Sequence, residues 1–180
     1  MGKQQTPLGA FSPAPGLRGG HLQTIFAAKV NLPGEPPSVT QRVLLPDGDT
    51  LALEVSTPAT WQPHQPTVLL LHGLCGCHRS SYMRRLAQKF WQRGRRAIRM
   101  NMRGCGSGQG LAKQPYHSGR SVDVLAVLQA LQRDTPQSLV TLIGFSLGGN
   151  IVLKLAGELQ AEAALYCQQV IAVCPPADLA

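Results

Sequence analysis

The strongest constraint on this chain is a series of short apolar runs, each ended by glycine or proline and separated from the next by a segment of helical spacing. Thr67-Val-Leu-Leu-Leu71 is continuous and apolar and is closed by His72-Gly73. Such a run suits a strand buried on both faces, the pattern of a parallel sheet. Ala97 to Met102 is a second strand, followed by the glycine-rich Arg103-Gly-Cys-Gly-Ser-Gly108. Leu139 to Gly144 is a third. Val170 to Cys174 is a fourth, broken by Pro175-Pro176.

Between the runs the apolar period changes from two to three and four. Met83, Leu86, Ala87 and Phe90 share one helical face, with Ser80 or Ser81 as the cap and Gly94 as the terminating glycine. Val124, Leu128 and Leu131 share another, in a helix opened by Ser118 or Ser121 and stopped before Pro136. Leu147 to about Ala164 reads as a third helix. Strand alternating with helix predicts an α/β fold: a mostly parallel sheet with helices on both faces.

Ahead of this core, Val39 to Leu45 and Leu51 to Val55 read as strands joined by Pro46-Asp47-Gly48-Asp49. Asp-Gly tolerates the positive φ of a tight hairpin, so an N-terminal antiparallel hairpin is expected at the sheet edge. Leu51, Leu53 and Val55 alternate with smaller or polar residues, as in a half-buried strand. Residues 1–37 are rich in proline and glycine and read as an irregular arm, with one short helical piece from His21 to Val30. Residues 38–180 form the α/β domain.

Charge and cysteine content narrow the classes. The net charge is +8, and Arg79, Arg84, Arg85, Lys89, Arg93, Arg95, Arg96, Arg99 and Arg103 crowd one stretch. The expectation is a solvated face with no nucleic-acid role. Five cysteines without a paired CxxC spacing predict no metal site and a reducing, cytoplasmic compartment. No apolar run approaches the ~18 residues of a membrane span. The glycines of 103–110 lack the Gly-Lys-Ser/Thr ending of a phosphate-binding loop. No cofactor is implied.

Gly144-Phe-Ser-Leu-Gly-Gly149 carries the chemistry. It contains Gly-x-Ser-x-Gly directly after one buried run and directly before a helix, the setting of a nucleophile elbow. Reversal from strand to helix over so few residues strains the serine, and Gly144 and Gly148 flank it because side chains there would meet backbone. Ser146 is the expected nucleophile, held at the carboxyl end of the sheet. The helix beginning at Leu147 directs free N–H groups at the site. His72-Gly73-Leu74 follows the first parallel strand, so the expected oxyanion donors are the backbone N–H groups of Leu147 and Leu74. His72 itself is expected to hold the loop by hydrogen bonds.

With these residues in view, the chain resembles the YheT-like branch of the α/β-hydrolases, the type 4 branch of that superfamily, which comprises esterases and lipases. The resemblance rests on Arg18-Gly-Gly-His-Leu-Gln-Thr24, His72-Gly-Leu with Gly76, Asn101-Met-Arg-Gly-Cys105, Tyr116-His-Ser-Gly119, Gly144-Phe-Ser-Leu-Gly-Gly-Asn150 and Pro175-Pro-Ala-Asp-Leu179. The family often has an acidic residue where Cys75 stands. The resemblance implies an α/β-hydrolase fold and a carboxylic ester hydrolase, with small acyl esters or lipids as substrates.

In this fold the triad runs Ser, then Asp or Glu, then His. The histidines here, His21, His64, His72, His78 and His117, all precede Ser146. The expectation is therefore a domain incomplete at its C-terminal end, with the triad histidine beyond residue 180. Asp178 is a weak candidate acid in a variant arrangement. The rival readings are an inactive hydrolase-like binding module and an acyltransferase using the same serine.

Overall fold

The computed structural model describes residues 12–29 and 34–176. They fall into two compact units that divide between Leu32 and Pro33. In the first unit, α1 spans Gly20–Lys29. Val30, the last residue of the expected helical piece, lies outside the described residues.

The second unit is built on one sheet. Its strands are β1 (Val39–Leu44), β2 (Thr50–Ser56), β3 (Thr67–Leu71), β4 (Arg96–Met100), β5 (Val140–Phe145) and β6 (Cys167–Val173), in the order β1-β2-β4-β3-β5-β6. β4, β3, β5 and β6 are parallel, and the β1–β2 hairpin joins β4 antiparallel through β2. Helices α2 (Ser81–Gln92), α3 (Ser121–Asp134) and α4 (Leu147–Leu159) connect the parallel strands.

Strand period assigns the two faces. Leu69, Leu71, Ile98, Met100 and Leu142 pack with Val124 and Leu128 of α3 and Ile151 and Val152 of α4. The alternate residues Val68, Leu70, Ala97 and Ile143 pack with Met83 and Ala87 of α2. Covering both faces is what allows β3 to be apolar at consecutive positions. Each fully buried Leu, Ile or Met contributes on the order of 1.5–3 kcal/mol against its exposed state.

The structure departs from the sequence reading in four places. The β1–β2 hairpin stands at the sheet edge as expected, with β1 outermost, but β2 is not half-buried: six of its seven residues are buried. Its polar face is covered as well: Glu54 accepts hydrogen bonds from Ser38 (3.0 Å), Thr40 (2.8 Å) and Ser107 (2.7 Å). The helix after Ser146 ends at Leu159, where Gln160 takes φ 47°, and the chain goes on as a 3-10 turn over Gln160–Leu165. Gly94 does end α2, with φ 71°, but Ser80 accepts the Cys77 amide (3.1 Å) and does not cap the helix by its side chain.

The fourth departure is the basic stretch, which is not a solvated face throughout. Arg96, Arg99 and Arg103 are buried. Arg99 donates to Glu35 (3.1 Å), to Ser38 (3.2 Å) and to the His78 carbonyl (3.3 Å). Arg103 grips Asp123 through two nitrogens, Nε (2.7 Å) and Nη2 (2.6 Å), and reaches Asp47 and Asp49 through Nη1, each at 2.6 Å. One guanidinium thereby ties the β1–β2 turn to the first turn of α3. Its fork geometry lets a single side chain satisfy three carboxylates.

Both turn carboxylates are held below their ordinary range. For Asp47 the hydrogen bond from Arg103 is the main cause. For Asp49 the backbone amides of Lys113 and Gln114 come first and Arg103 after them. A depressed carboxylate stabilises the fold above its unfolded value, and that contribution is lost as pH falls through the folded value. The thermal midpoint should therefore drop on acidification from about pH 5 to below about pH 4. Asp49→Asn should be less stable at pH 7 and show a shallower acid slope. Parallel acid slopes for the two proteins, read by calorimetry, would contradict this account.

Candidate active site

The carboxyl ends of β3 and β5 lie side by side, because Leu71 pairs with Gly144 in the sheet register. The residues that follow, His72-Gly73 from β3 and Phe145-Ser146 from β5, therefore meet at the rim. Ser146 sits between the last strand residue and the first helical residue with φ 49° and ψ −118°. That backbone region costs a non-glycine residue about 1–3 kcal/mol and persists only where the surroundings enforce it. Here the Ser146 amide donates to Val173 at the end of β6 (2.9 Å), and the Ser146 carbonyl accepts from Asn150 (3.0 Å). The residue is exposed.

Glycine is required at both flanks by contact. A Cβ on Gly144 would overlap the Gly148 carbonyl and stand 2.8 Å from the Gly149 amide nitrogen. A Cβ on Gly148 would overlap the His72 carbonyl and stand 2.7 Å from the Leu71 carbonyl oxygen. Gly73 is similarly confined, since a Cβ there would lie 3.1 Å from the Ser146 Cβ and 3.3 Å from the Phe145 carbonyl. These clearances, set by rigid backbone, bring the turn after β3 against the serine.

His72 is fully buried, and both its ring nitrogens are engaged by backbone. Nε2 accepts the Met102 amide (3.1 Å), so Nδ1 carries the proton and donates to the Gly73 carbonyl (2.7 Å). Burial pushes its pKa down from the usual histidine value, in the same direction as the Met102 amide bond to Nε2, which needs an unprotonated nitrogen. His72 stitches the end of β3 to the segment after β4 and has no nitrogen left to accept a proton.

Leu74 is exposed and directly follows Gly73. Leu147 is the first residue of α4, where helical amides lack an intrahelical acceptor. The structure thus brings Ser146, Leu147 and the turn 73–76 to one rim. Asp178 lies outside the described residues. Two contacts at this rim were not foreseen from the sequence: the hydroxyl of Tyr82 accepts the Gly73 amide (3.0 Å), and that of Tyr116 accepts the Cys75 amide (3.0 Å). Nothing local announces them, because the partners lie nine and 41 residues apart. Among the described residues there is no group of three or more His, Cys, Asp or Glu side chains suited to a metal, and no helix long and apolar enough to cross a membrane.

A sheet of this order with a glycine-flanked serine on its central rim defines a hydrolase-type α/β protein. The chain belongs to the alpha/beta hydrolase fold family, whose model matches residues 66–179. It is 31% identical over 159 residues to the "Putative esterase YheT" of Escherichia coli (strain K12), covering 86% of this chain and 47% of that protein. It is 28% identical over 162 residues to a monoacylglycerol lipase ABHD2 of Danio rerio, covering 85% and 37%. Among solved structures it resembles XC6422 of Xanthomonas campestris, described as a serine hydrolase without a lid, with TM-score 0.65, 26% identity, and coverage of 83% and 65%. The chain spans about half or less of the length of these curated relatives.

The clearances give a direct test. Gly148→Ala should lower unfolding stability by about 3 kcal/mol, the upper range for overpacking, because the Cβ meets backbone that cannot rotate away. Gly157→Ala, in the same helix and with open space around its Cβ position, should raise it by about 0.5–1 kcal/mol. Equal denaturation midpoints for the two variants would show that the strand-to-helix turn has room to spare.

Proposed function

We propose that the chain carries the nucleophile and oxyanion site of a serine hydrolase acting on carboxylic esters, small or lipid-like. The observation that carries this reading is the exposed Ser146, held at positive φ between β5 and α4 and flanked by two glycines that admit no side chain. The esterase and lipase names of the relatives support the reaction class.

In this reading Ser146 Oγ attacks the acyl carbon and its proton passes to a histidine supplied from beyond residue 180. The carbonyl π electrons move onto oxygen, where the N–H groups of Leu147 and Leu74 receive the oxyanion. Each such donor is worth ~3 kcal/mol of transition-state stabilisation. Collapse of the tetrahedral species expels the alkoxide, which takes the proton from the histidine. Water then attacks the acyl-serine by the same route and releases the acid. His72 is excluded as the base because both its nitrogens are occupied by backbone partners and burial disfavours its taking up a proton. The acid of the triad is likewise assigned outside the described residues.

The test is turnover of a short acyl ester by the whole protein. Ser146→Ala should reduce kcat/KM about 10⁴-fold or more while leaving the unfolding transition in place, since the side chain is exposed. Retention of most of the activity in that variant would refute the assignment.

A further inference from the structure

Four consecutive amides, those of residues 73–76, form the turn beside Ser146, and three of them are taken. The Gly73 amide donates to the Tyr82 hydroxyl (3.0 Å), the Cys75 amide to the Tyr116 hydroxyl (3.0 Å), and the Gly76 amide to the Gly73 carbonyl (3.1 Å). Among the described residues the Leu74 amide has no acceptor. From this pattern we infer that Tyr82 and Tyr116 are positioning residues that hold the amides on either side of Leu74 and so leave the Leu74 N–H as the turn's one free donor. The inference rests on the reading of Ser146 as nucleophile and Leu74 as an oxyanion donor.

The two hydroxyls come from separate parts of the fold. Tyr82 lies in the first turn of α2, and its ring packs on Phe145, the residue before Ser146, with centroids 4.7 Å apart. It therefore references the oxyanion turn to the serine turn. Its hydroxyl also fills the space a Cβ on Gly76 would need, at 3.1 Å. Tyr116 precedes α3, and its ring stands nearly perpendicular to that of His72, with centroids 6.4 Å apart; the His72 imidazole is already fixed between Gly73 and Met102. Cys75 stands at φ 56°, a left-handed conformation that costs a non-glycine residue on the order of 1 kcal/mol or more. The Tyr116 hydroxyl is the acceptor that holds it there.

Such anchoring preorganises the turn. An oxyanion donor is effective when it is aimed at the developing charge before the reaction and need not move. A turn whose neighbouring amides were loose could rotate its peptide planes and trade one donor for another. A tyrosine has two χ angles and a rigid ring, so an acceptor carried on it is placed at small entropic cost. Both hydroxyls are engaged by backbone amides of the turn. Each acts through the turn.

The experiment compares Tyr82→Phe, Tyr116→Phe and the double variant in the whole protein, using a short acyl ester. Each single change should lower kcat by about tenfold or more with KM altered less than about twofold, the double change lowering it further. Unchanged kcat, or a loss confined to KM, would overturn the inference. Should a phenylalanine variant lose its cooperative unfolding transition, the wild-type protein still decides the matter through its ¹H–¹⁵N spectrum with benzeneboronic acid bound at the serine. The Leu74 resonance should move downfield while those of Gly73 and Cys75 stay in place, and movement of either neighbour instead of Leu74 would overturn the proposal. An active wild-type protein whose phenylalanine variants are unaffected sinks the role of the tyrosines alone. A wild-type protein that neither turns over ester nor binds the boronate sinks the serine reading with it.

Discussion

Two backbone segments approach at the ends of β3 and β5 with no space for a side chain between them, and the geometry of the rim follows from that contact. The carbonyls of Leu71 and His72 face Gly148, and the Gly148 carbonyl faces Gly144. With the helix pressed this closely onto the strands, the chain has one residue in which to turn from β5 to α4. That residue is Ser146, and the positive φ it adopts is the cost of the reversal. The register pairing of Leu71 with Gly144 then decides which loop stands next to the serine.

The surroundings over-determine this arrangement. Val173 on β6 receives the Ser146 amide, and Asn150 links the same turn to Pro176 through its side chain (3.0 Å). His72 locks the loop after β3 to the chain after β4. Further out, Arg103 binds the β1–β2 turn to α3 through three carboxylates. Strain at one residue persists when many ordinary contacts would have to break to relieve it. The rim is held from several sides for that reason, as the oxyanion site proposed here would require.

The sequence disclosed the parts of this design whose signals are local. Gly144 and Gly148 are two residues from the serine, and the apolar run before them and the helix after them are continuous in the chain, so the turn could be read directly. The alternation of strands and helices was equally plain. What escaped were features whose partners lie elsewhere. β2 reads as half-buried because Ser38 and Ser107, which satisfy Glu54 on its polar face, are far along the chain. Arg99 and Arg103 looked like part of a solvated basic face because Glu35, Asp47, Asp49 and Asp123 are equally remote. No glycine or proline directly follows Leu159 to mark the end of α4. Tyr82 carries no signal, and Tyr116 is legible only as part of the Tyr116-His-Ser-Gly119 motif, since a hydroxyl that accepts a backbone amide leaves no trace in spacing.

Under the function proposed here, the side chain at position 146 reacts as a nucleophile at this rim. The most direct measurement is a fluorophosphonate reaction on the whole protein, with the adduct located by peptide mass spectrometry. The account predicts one phosphonyl group per protein, on the peptide containing Ser146 and on that residue. A stoichiometric adduct on any other serine, or ester turnover that survives with position 146 unmodified, would contradict it.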